Sequence, residues 1–467
     1  MKLLAIKNLQ FLLLSTVITV LLIGCSSRES GKNQEEQKPN VLIILTDDMG
    51  YGDISCYNGS AVSTPHIDRL AEEGVRMTDF YVPTPYCAPS RATLITGRFP
   101  LRHQVIKNPT PDAGIDDVGI TANEVTMGEV FQDAGYKTKL IGKWHLGHVP
   151  RYYPVRHGFD EYFGILYSND MRPVQLIRND GDTVEYPVDQ RTLTQKYTNS
   201  ALDFIEQQKD SSFFLMLNHA MPHKPLAASD DFYTPETKDD LYQDVIRELD
   251  WSVGAVIAKL AKLNILDNTI VVFMSDNGPW YGGSTGGLKG MKATTWEGGI
   301  RVPFMIRYPE ALKPQVISVP CWSPDVMPTL LSLVGLEYNQ GQKMDGEDIT
   351  EVLNGRKTSH SPIFSMHGEK IITVRKGDYK LFLSKPKTNT KPGDWVDPRR
   401  PDGTTIIAQE EQARPEEYPG IVPEVPDNDI QLFNLETDPS ESNDLSEQMP
   451  EKVSKLMKAY EEYLKTI

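Results

Sequence analysis

Four short apolar runs in this chain each end in residues able to hold a cation or move a proton. Val41–Leu45 leads into Thr46-Asp47-Asp48, and Lys137–Ile141 into Gly142-Lys143-Trp144-His145. Phe213–Leu217 leads into Asn218-His219 and then His223, and Ile270–Met274 into Ser275-Asp276-Asn277-Gly278. A single acidic residue after a strand often does no more than cap the next helix. Four polar strand ends are more informative, because open α/β sheets bind ligands outside the carboxyl ends of their strands. Asp47, Asp48 and Asp276 brought together would repel one another unless a cation intervened. Carboxylates with the Asn277 amide suit a hard ion, Ca²⁺ first and Mg²⁺ as the alternative. No cysteine or histidine pair has a spacing that suggests zinc.

The elements that must position these residues are legible in outline. Thr64-Pro65 opens a helical pattern that closes at Gly74, with a cap residue, proline at the first position and glycine at the end. Helices are expected over Glu124–Ala134, Tyr197–Gln208 and Asp240–Leu263, alternating with the four apolar strands. Alternation of this kind predicts an α/β fold, a large mostly parallel sheet sandwiched by helices. After about Asn354 the pattern changes. Ile371–Val374, Tyr379–Phe382 and Gln431–Asn434 read as an antiparallel meander, and Glu451–Leu464 as a closing helix. The expected division is therefore a catalytic domain over 40–354 and a smaller C-terminal α+β subdomain over 355–467. Ser384–Asp429, rich in proline and charge, reads as a long functional or mobile loop.

Cys87-Ala88-Pro89-Ser90-Arg91 is followed by Ala92-Thr93-Leu94-Ile95-Thr96-Gly97-Arg98. Pro89 and the helix-forming run after it put Cys87 at a helix start, where backbone N–H groups favour an anion. Arg91 lies one turn on and faces the same way. The C-x-P-S-R core and T-G-R tail resemble the signature of the formylglycine-dependent sulfatases. N-V-L-I-I-L-T-D-D, G-K-W-H-L-G, S-D-N-G and K-A-T-T-W-E-G-G-I-R-V-P agree in order, so the resemblance covers roughly Asn40 to Leu445. It implies an alkaline-phosphatase-like core and oxidation of Cys87 to formylglycine (3-oxoalanine) by a formylglycine-generating enzyme. It also implies Asp47, Asp48, Asp276, Asn277 and the modified Cys87 as metal ligands. Arg91 would fix the nucleophile's hydroxyl, and Lys143 and Lys292 would grip the sulfate. His145 would accept the second hydroxyl proton, and His223 would protonate the leaving alcohol. Lys289 is read as solvated, His219 as structural, and Glu297–Pro303, with Arg301 paired internally, as scaffold.

Tyr167-Ser168-Asn169-Asp170 is similar to a loop of polysaccharide sulfatases, so Asn169 and Asp170 are candidates for bonding sugar hydroxyls. Arg151, Arg156, Arg172, Arg399 and Arg400 could meet further sulfates but read first as surface charge. The expected substrate is a sulfated carbohydrate, an algal glycan such as ulvan or carrageenan before a glycosaminoglycan. Alternatives are a phosphonate or phosphodiester hydrolase of the same superfamily and a non-catalytic glycan-binding lipoprotein.

The whole chain bounds these readings. It has 467 residues and a formal net charge of −16. That charge argues against nucleic acid as a partner and requires a local basic pocket for any sulfated substrate. Lys2 and Lys7 followed by the apolar Phe11–Gly24 read as a signal peptide, too short for a comfortable span. Leu22-Ile23-Gly24-Cys25 resembles a bacterial lipobox, implying cleavage after residue 24, lipidation of Cys25 and a tether over 25–39. The expected location is the cell envelope, anchored to the outer membrane. Cys56 and Cys321 either pair or remain buried thiols, the latter being favoured.

Overall fold

The computed structural model describes residues 38–58, 62–111, 114, 117–233, 241–338, 341–386 and 428–467. The signal peptide, Cys25, most of the tether, Arg399, Arg400 and most of the long loop lie outside these residues. Residues 39–467 form one compact unit.

The strands are β1 (Asn40–Thr46), β2 (Val75–Met77), β3 (Phe80–Tyr81), β4 (Lys137–Lys143), β5 (Glu161–Ile165), β6 (Leu176–Arg178), β7 (Asp182–Glu185), β8 (Phe213–Asn218), β9 (Thr269–Ser275), β10 (Phe304–Arg307), β11 (Gln315–Ile317), β12 (Cys321–Trp322), β13 (Ile363–His367), β14 (Lys370–Lys376), β15 (Tyr379–Phe382) and β16 (Gln431–Asn434). The longer helices are α1 (Pro65–Glu73), α2 (Cys87–Thr96), α3 (Met127–Asp133), α4 (Leu193–Gln207), α5 (Leu241–Lys262), α6 (Val326–Leu333) and α7 (Pro450–Leu464).

A ten-stranded sheet runs in the order β11-β2-β10-β9-β1-β8-β4-β5-β6-β7. Its central five strands, β9-β1-β8-β4-β5, are all parallel. Both faces of the sheet's centre are covered, so β1, β8 and β9 read as unbroken apolar runs rather than as alternating ones. Val41, Ile43 and Leu45 of β1 enter one core cluster, and Leu42 and Ile44 the other. The strands sit where the apolar runs predict, each a residue or two longer. The helix expected over Glu124–Ala134 begins later, at Met127. Thr126 caps it, accepting from the Glu129 N–H while the Glu129 carboxylate accepts from the Thr126 N–H.

The C-terminal sheet, β13-β14-β15-β16, is antiparallel throughout and has one strand, β13, that the sequence reading lacks. Buried ion pairs tie it to the large sheet's side. Lys380 Nζ lies 3.0 Å from Glu297 Oε1, and Arg375 Nη2 2.7 Å from Asp79 Oδ1. Arg301 donates from Nη2 to Asp79 Oδ2 at 3.0 Å, in keeping with an internal role. Cys56 and Cys321 are both free thiols, Cys321 buried and Cys56 only half-buried.

Candidate active site

The parallel register brings four strand ends level. Thr46 of β1 pairs with Ser275 of β9, Leu45 with Asn218 of β8, and Asn218 with Gly142 of β4. One residue beyond, Asp47, Asp276 and Lys143 therefore meet at a single edge. Asp48 and His145, with φ of 63° and 61°, adopt the left-handed region. Non-glycine residues hold that conformation at a cost of order 1–3 kcal/mol, and such strain collects at functional sites.

The nucleophile helix enters from the side. Every residue of α2 is buried, and Gly97 ends it in the left-handed conformation at φ 64°. Cys87 sits at its first position, where Asn108 Oδ1 accepts the Ala88 N–H at 3.0 Å. Cys87 Sγ lies 3.3 Å from Asp47 Oδ1, 3.9 Å from Asp48 Oδ1 and 3.4 Å from Lys292 Nζ. Its surroundings are thus charged, although the residue is sealed from solvent.

Each predicted residue can be followed from there. Lys143 Nζ bonds Asp47 Oδ2 at 2.5 Å and Ser168 Oγ at 3.1 Å. Lys292 Nζ lies 2.6 Å from Asp48 Oδ1. Arg91 reaches past the thiol, donating to Asp276 Oδ2 at 2.8 Å and to the Lys143 carbonyl at 2.9 Å. His223 points Nε2 at Asp48 Oδ2, 3.6 Å away, and its Nδ1 is 2.6 Å from the Lys224 carbonyl. Both ring nitrogens of His145 are buried without a hydrogen-bond partner. Asn277 donates from Nδ2 to Asp48 Oδ1 at 2.7 Å, leaving its buried Oδ1 without a partner.

The electrostatics follow from this crowding. Burial alone would push the Asp47 carboxyl up, but Lys143, His223, Arg91 and Lys292 outweigh it and hold Asp47 well below the carboxylate range. Asp276 moves the other way, raised by burial and by Asp47. Burial and then Asp47 also push the Cys87 thiol well up, so the unmodified side chain is a poor nucleophile here. Burial, with Lys143 beside His145 and Lys292 beside His223, lowers both imidazoles. Burying ion pairs stabilises a fold little, since desolvation offsets much of the attraction. A knot of this kind points to chemistry.

The carboxylate oxygens here suit a hard cation. Asp47, Asp48, Cys87 and His223 offer ligand atoms within 4.8 Å of one another, and the orphaned Asn277 Oδ1 is a further acceptor. Asp276 stands beside them with Oδ2 on Arg91 and Oδ1 accepting the Asp48 N–H at 3.2 Å.

A cavity of about 220 Å³ opens onto these groups, lined by Asp48, His145, Asp170, His223 and Lys292 of the predicted set. It is also lined by Tyr86, Asn108, Met171 and Trp280, which sequence reasoning missed. Tyr86 and Trp280 carried a usable signal, being aromatic residues flanking C-x-P-S-R and S-D-N-G; Asn108 carried none. The expectation for Asn169 is revised. It is buried, and its Nδ2 faces Gln190 Oε1 and the carbonyls of His223 and Pro225 at 3.2–3.3 Å, so it braces the His223 loop. Lys289 is revised too. It is half-buried, donates to the Glu441 carbonyl and lies 3.8 Å over the Trp296 ring. His219 is buried behind the site against Ser252. Arg151, Arg156 and Arg172 are not among the lining residues, and Arg156 pairs with Asp180.

Comparison with known proteins agrees with this geometry. The sulfatase family model matches residues 39–336. The N-acetylgalactosamine-6-sulfatase of Canis lupus familiaris is 37% identical over 394 residues, 78% of this chain and 75% of that one. Among solved structures, a Bacteroides thetaiotaomicron sulfatase from work on the metabolism of multiple glycosaminoglycans superposes with a TM-score of 0.76. It is 26% identical and spans 91% of this chain and 99% of that one. Ps i-CgsB in complex with k-i-k-neocarrahexaose gives 0.74 at 28% identity, over 91% of this chain and 93% of that one. With the signature cysteine among buried aspartates and lysines and the family model over more than half its length, the chain belongs to the sulfatase family and is a sulfuric ester hydrolase.

Proposed function

We propose that this sulfatase removes sulfate from a sulfated carbohydrate, using a formylglycine made from Cys87 as its nucleophile. The observation that carries the reading is Cys87 Sγ within 3.9 Å of Asp47, Asp48 and Lys292 at the first position of a buried helix. A hydrated aldehyde at that position offers one hydroxyl for attack on sulfur and a second for expelling sulfate afterwards. Asp47, Asp48, Asp276 and Asn277 are the residues that would hold a divalent cation, Ca²⁺ or Mg²⁺, which would polarise a sulfate oxygen.

The remaining roles belong to side chains whose positions support them. Lys292 lines the cavity, and Lys143 lies behind Asp47, so both carry positive charge to where sulfate oxygens gather charge. Arg91 holds Asp276 and the Lys143 carbonyl in place. With Nδ1 donating to the Lys224 carbonyl, His223 acts as an acid only as the imidazolium, whose Nε2 proton passes to the leaving oxygen. His145, which lines the cavity and has two unpartnered nitrogens, takes the proton from the second hydroxyl. Tyr86, Met171 and Trp280 offer apolar walls to a sugar ring, with Asp170 as a polar partner.

An algal glycan of the carrageenan type is the first substrate class, supported by the carrageenan-oligosaccharide complex of a relative. A glycosaminoglycan is the second, supported by the N-acetylgalactosamine-6-sulfatase likeness. The test measures sulfate released from oligosaccharides of each class, with a phosphodiester alongside, by the wild type and by Cys87→Ala. Sulfate release by the wild type and none by C87A at unchanged Tm is the expected result. Full activity in C87A, or a preference for the phosphodiester, would overturn the reading.

A further inference from the structure

A second cluster of ligating side chains lies apart from the reaction centre. Cys321 on β12, Asp325 just before α6 and His360 just before β13 place a thiol, a carboxylate oxygen and a ring nitrogen within 4.8 Å of one another, all in buried residues. Glu347 approaches from the half-exposed rim, with Oε1 3.1 Å from His360 Nε2. The His360 side chain is 2% exposed.

Hydrogen bonding fixes how these groups face one another. His360 Nδ1 lies 2.8 Å from the Ser361 carbonyl, so Nδ1 keeps a proton and Nε2 is the nitrogen that can turn a lone pair to an ion. That nitrogen meets Asp325 Oδ2 at 3.0 Å and Glu347 Oε1 at 3.1 Å. Neither approach has hydrogen-bond geometry, and Nε2 is buried without a hydrogen-bond partner. The carboxylates are themselves oriented by backbone. Asp325 Oδ2 accepts the Trp322 N–H at 2.9 Å, its Oδ1 the Glu347 N–H at 3.0 Å, and Glu347 Oε1 the Ser361 N–H at 3.2 Å. Lone pairs converging on one point want a positive centre between them. Nitrogen–oxygen separations of 3.0–3.1 Å are near the ~3.3 Å edge of a tetrahedron around an ion with ~2.0 Å bonds. Ligands held by carbonyl and N–H groups behind them are the usual outer layer of a metal site.

We propose that Cys321, Asp325, His360 and Glu347 form a closed structural site for a tetrahedral transition-metal ion, zinc by its mixed thiolate, imidazole and carboxylate donors. Binding displaces the Cys321 thiol proton, and the Nε2 proton of His360 where the ring is charged, to solvent and leaves all four protein ligands anionic or neutral. The ion joins β12, the turn into α6 and the segment entering β13, and so fastens the C-terminal sheet to the large sheet's side. An imidazolium held by two carboxylates is the metal-free alternative.

The test uses the full chain with Cys25, Cys56 and Cys87 replaced by serine, which leaves Cys321 as its single thiol. Cobalt(II) titrated into that folded chain should give a thiolate charge-transfer band and tetrahedral d–d bands, saturating at about one equivalent and displaced by zinc. Adding His360→Gln should weaken cobalt binding about tenfold or more. A folded single-thiol chain with no thiolate band at one equivalent overturns the proposal. So does a band that H360Q leaves unchanged. The thiolate band separates this site from a carboxylate centre at Asp47 and Asp48.

Discussion

At the scale of single residues, the two site lysines make opposite demands. Lys143 is sealed, and its 2.5 Å contact with Asp47 is the main compensation for a buried carboxylate. Lys143→Ala should therefore destabilise the chain by about 3–5 kcal/mol, as breaking buried pairs does, and denaturant melts would show it. Lys292 also has a carboxylate partner, Asp48 at 2.6 Å, but both line the cavity, where water can reach the carboxylate left behind. Lys292→Ala should cost far less stability but about 10²–10³ in kcat, the usual loss for a donor aimed at developing charge. Equal melting losses in the two variants would contradict this division. Glu248 on α5 is a different case. Its Oε2 accepts the Ser229 N–H at 3.0 Å, its Oε1 is buried without a partner, and burial lifts its carboxyl to about 7. The native chain therefore holds this proton more tightly than the unfolded chain does. That contribution to stability is complete below the ordinary value of 4.5 and is lost as pH rises through about 7. Glu248→Gln stays neutral throughout, so the Tm of the wild type minus that of E248Q should fall between pH 4.5 and 8. A flat difference would show that Glu248 does not titrate there.

At the scale of elements, the site depends on how closely β4 lies against its neighbours. Gly142 has φ 100°, and a Cβ built there would come 1.8 Å from the Asn218 carbonyl oxygen of β8. Any side chain must push the two strands apart just before Lys143 and His145. Gly142→Ala should lower Tm by several degrees and reduce kcat together with it, because the displaced strand end carries both residues. Retained kcat in that variant would show that the β4 end tolerates movement. The nucleophile helix is constrained in another way. With every residue of α2 buried, its register is held by packing on all sides, which is why Cys87 and Arg91 reach the same group of aspartates.

At the scale of the whole molecule, the charge balance opposes the chemistry. A chain of net charge −16 repels a sulfated polymer at long range, while the lysines at the cavity attract it at short range. Salt screens the first interaction more than the second, the Debye length falling from ~30 Å at 0.01 M to ~8 Å at 0.15 M. The value of kcat/KM on a polymeric sulfated glycan should therefore rise with salt from 0.01 to ~0.15 M, and less so on a monosulfated monosaccharide. A monotonic fall on the polymer would indicate a basic track outside the cavity.

The sequence by itself determined the α/β architecture, the four polar strand ends and the nucleophile helix, because each is written in local pattern. Apolar runs, the Thr64-Pro65 helix start and the C-x-P-S-R spacing need no partner to be read. Tertiary structure alone decided who faces whom. Asn169 reads as a sugar ligand from its loop, yet packing turns its amide inward beneath His223. Asn108, Met171 and the β13 strand carry no periodic or motif signal, so only the folded chain reveals them. The Cys321, Asp325, His360 and Glu347 cluster has no metal-like spacing. Its members arrive from separate segments, and chain order holds no information about such convergence until the sheets pack.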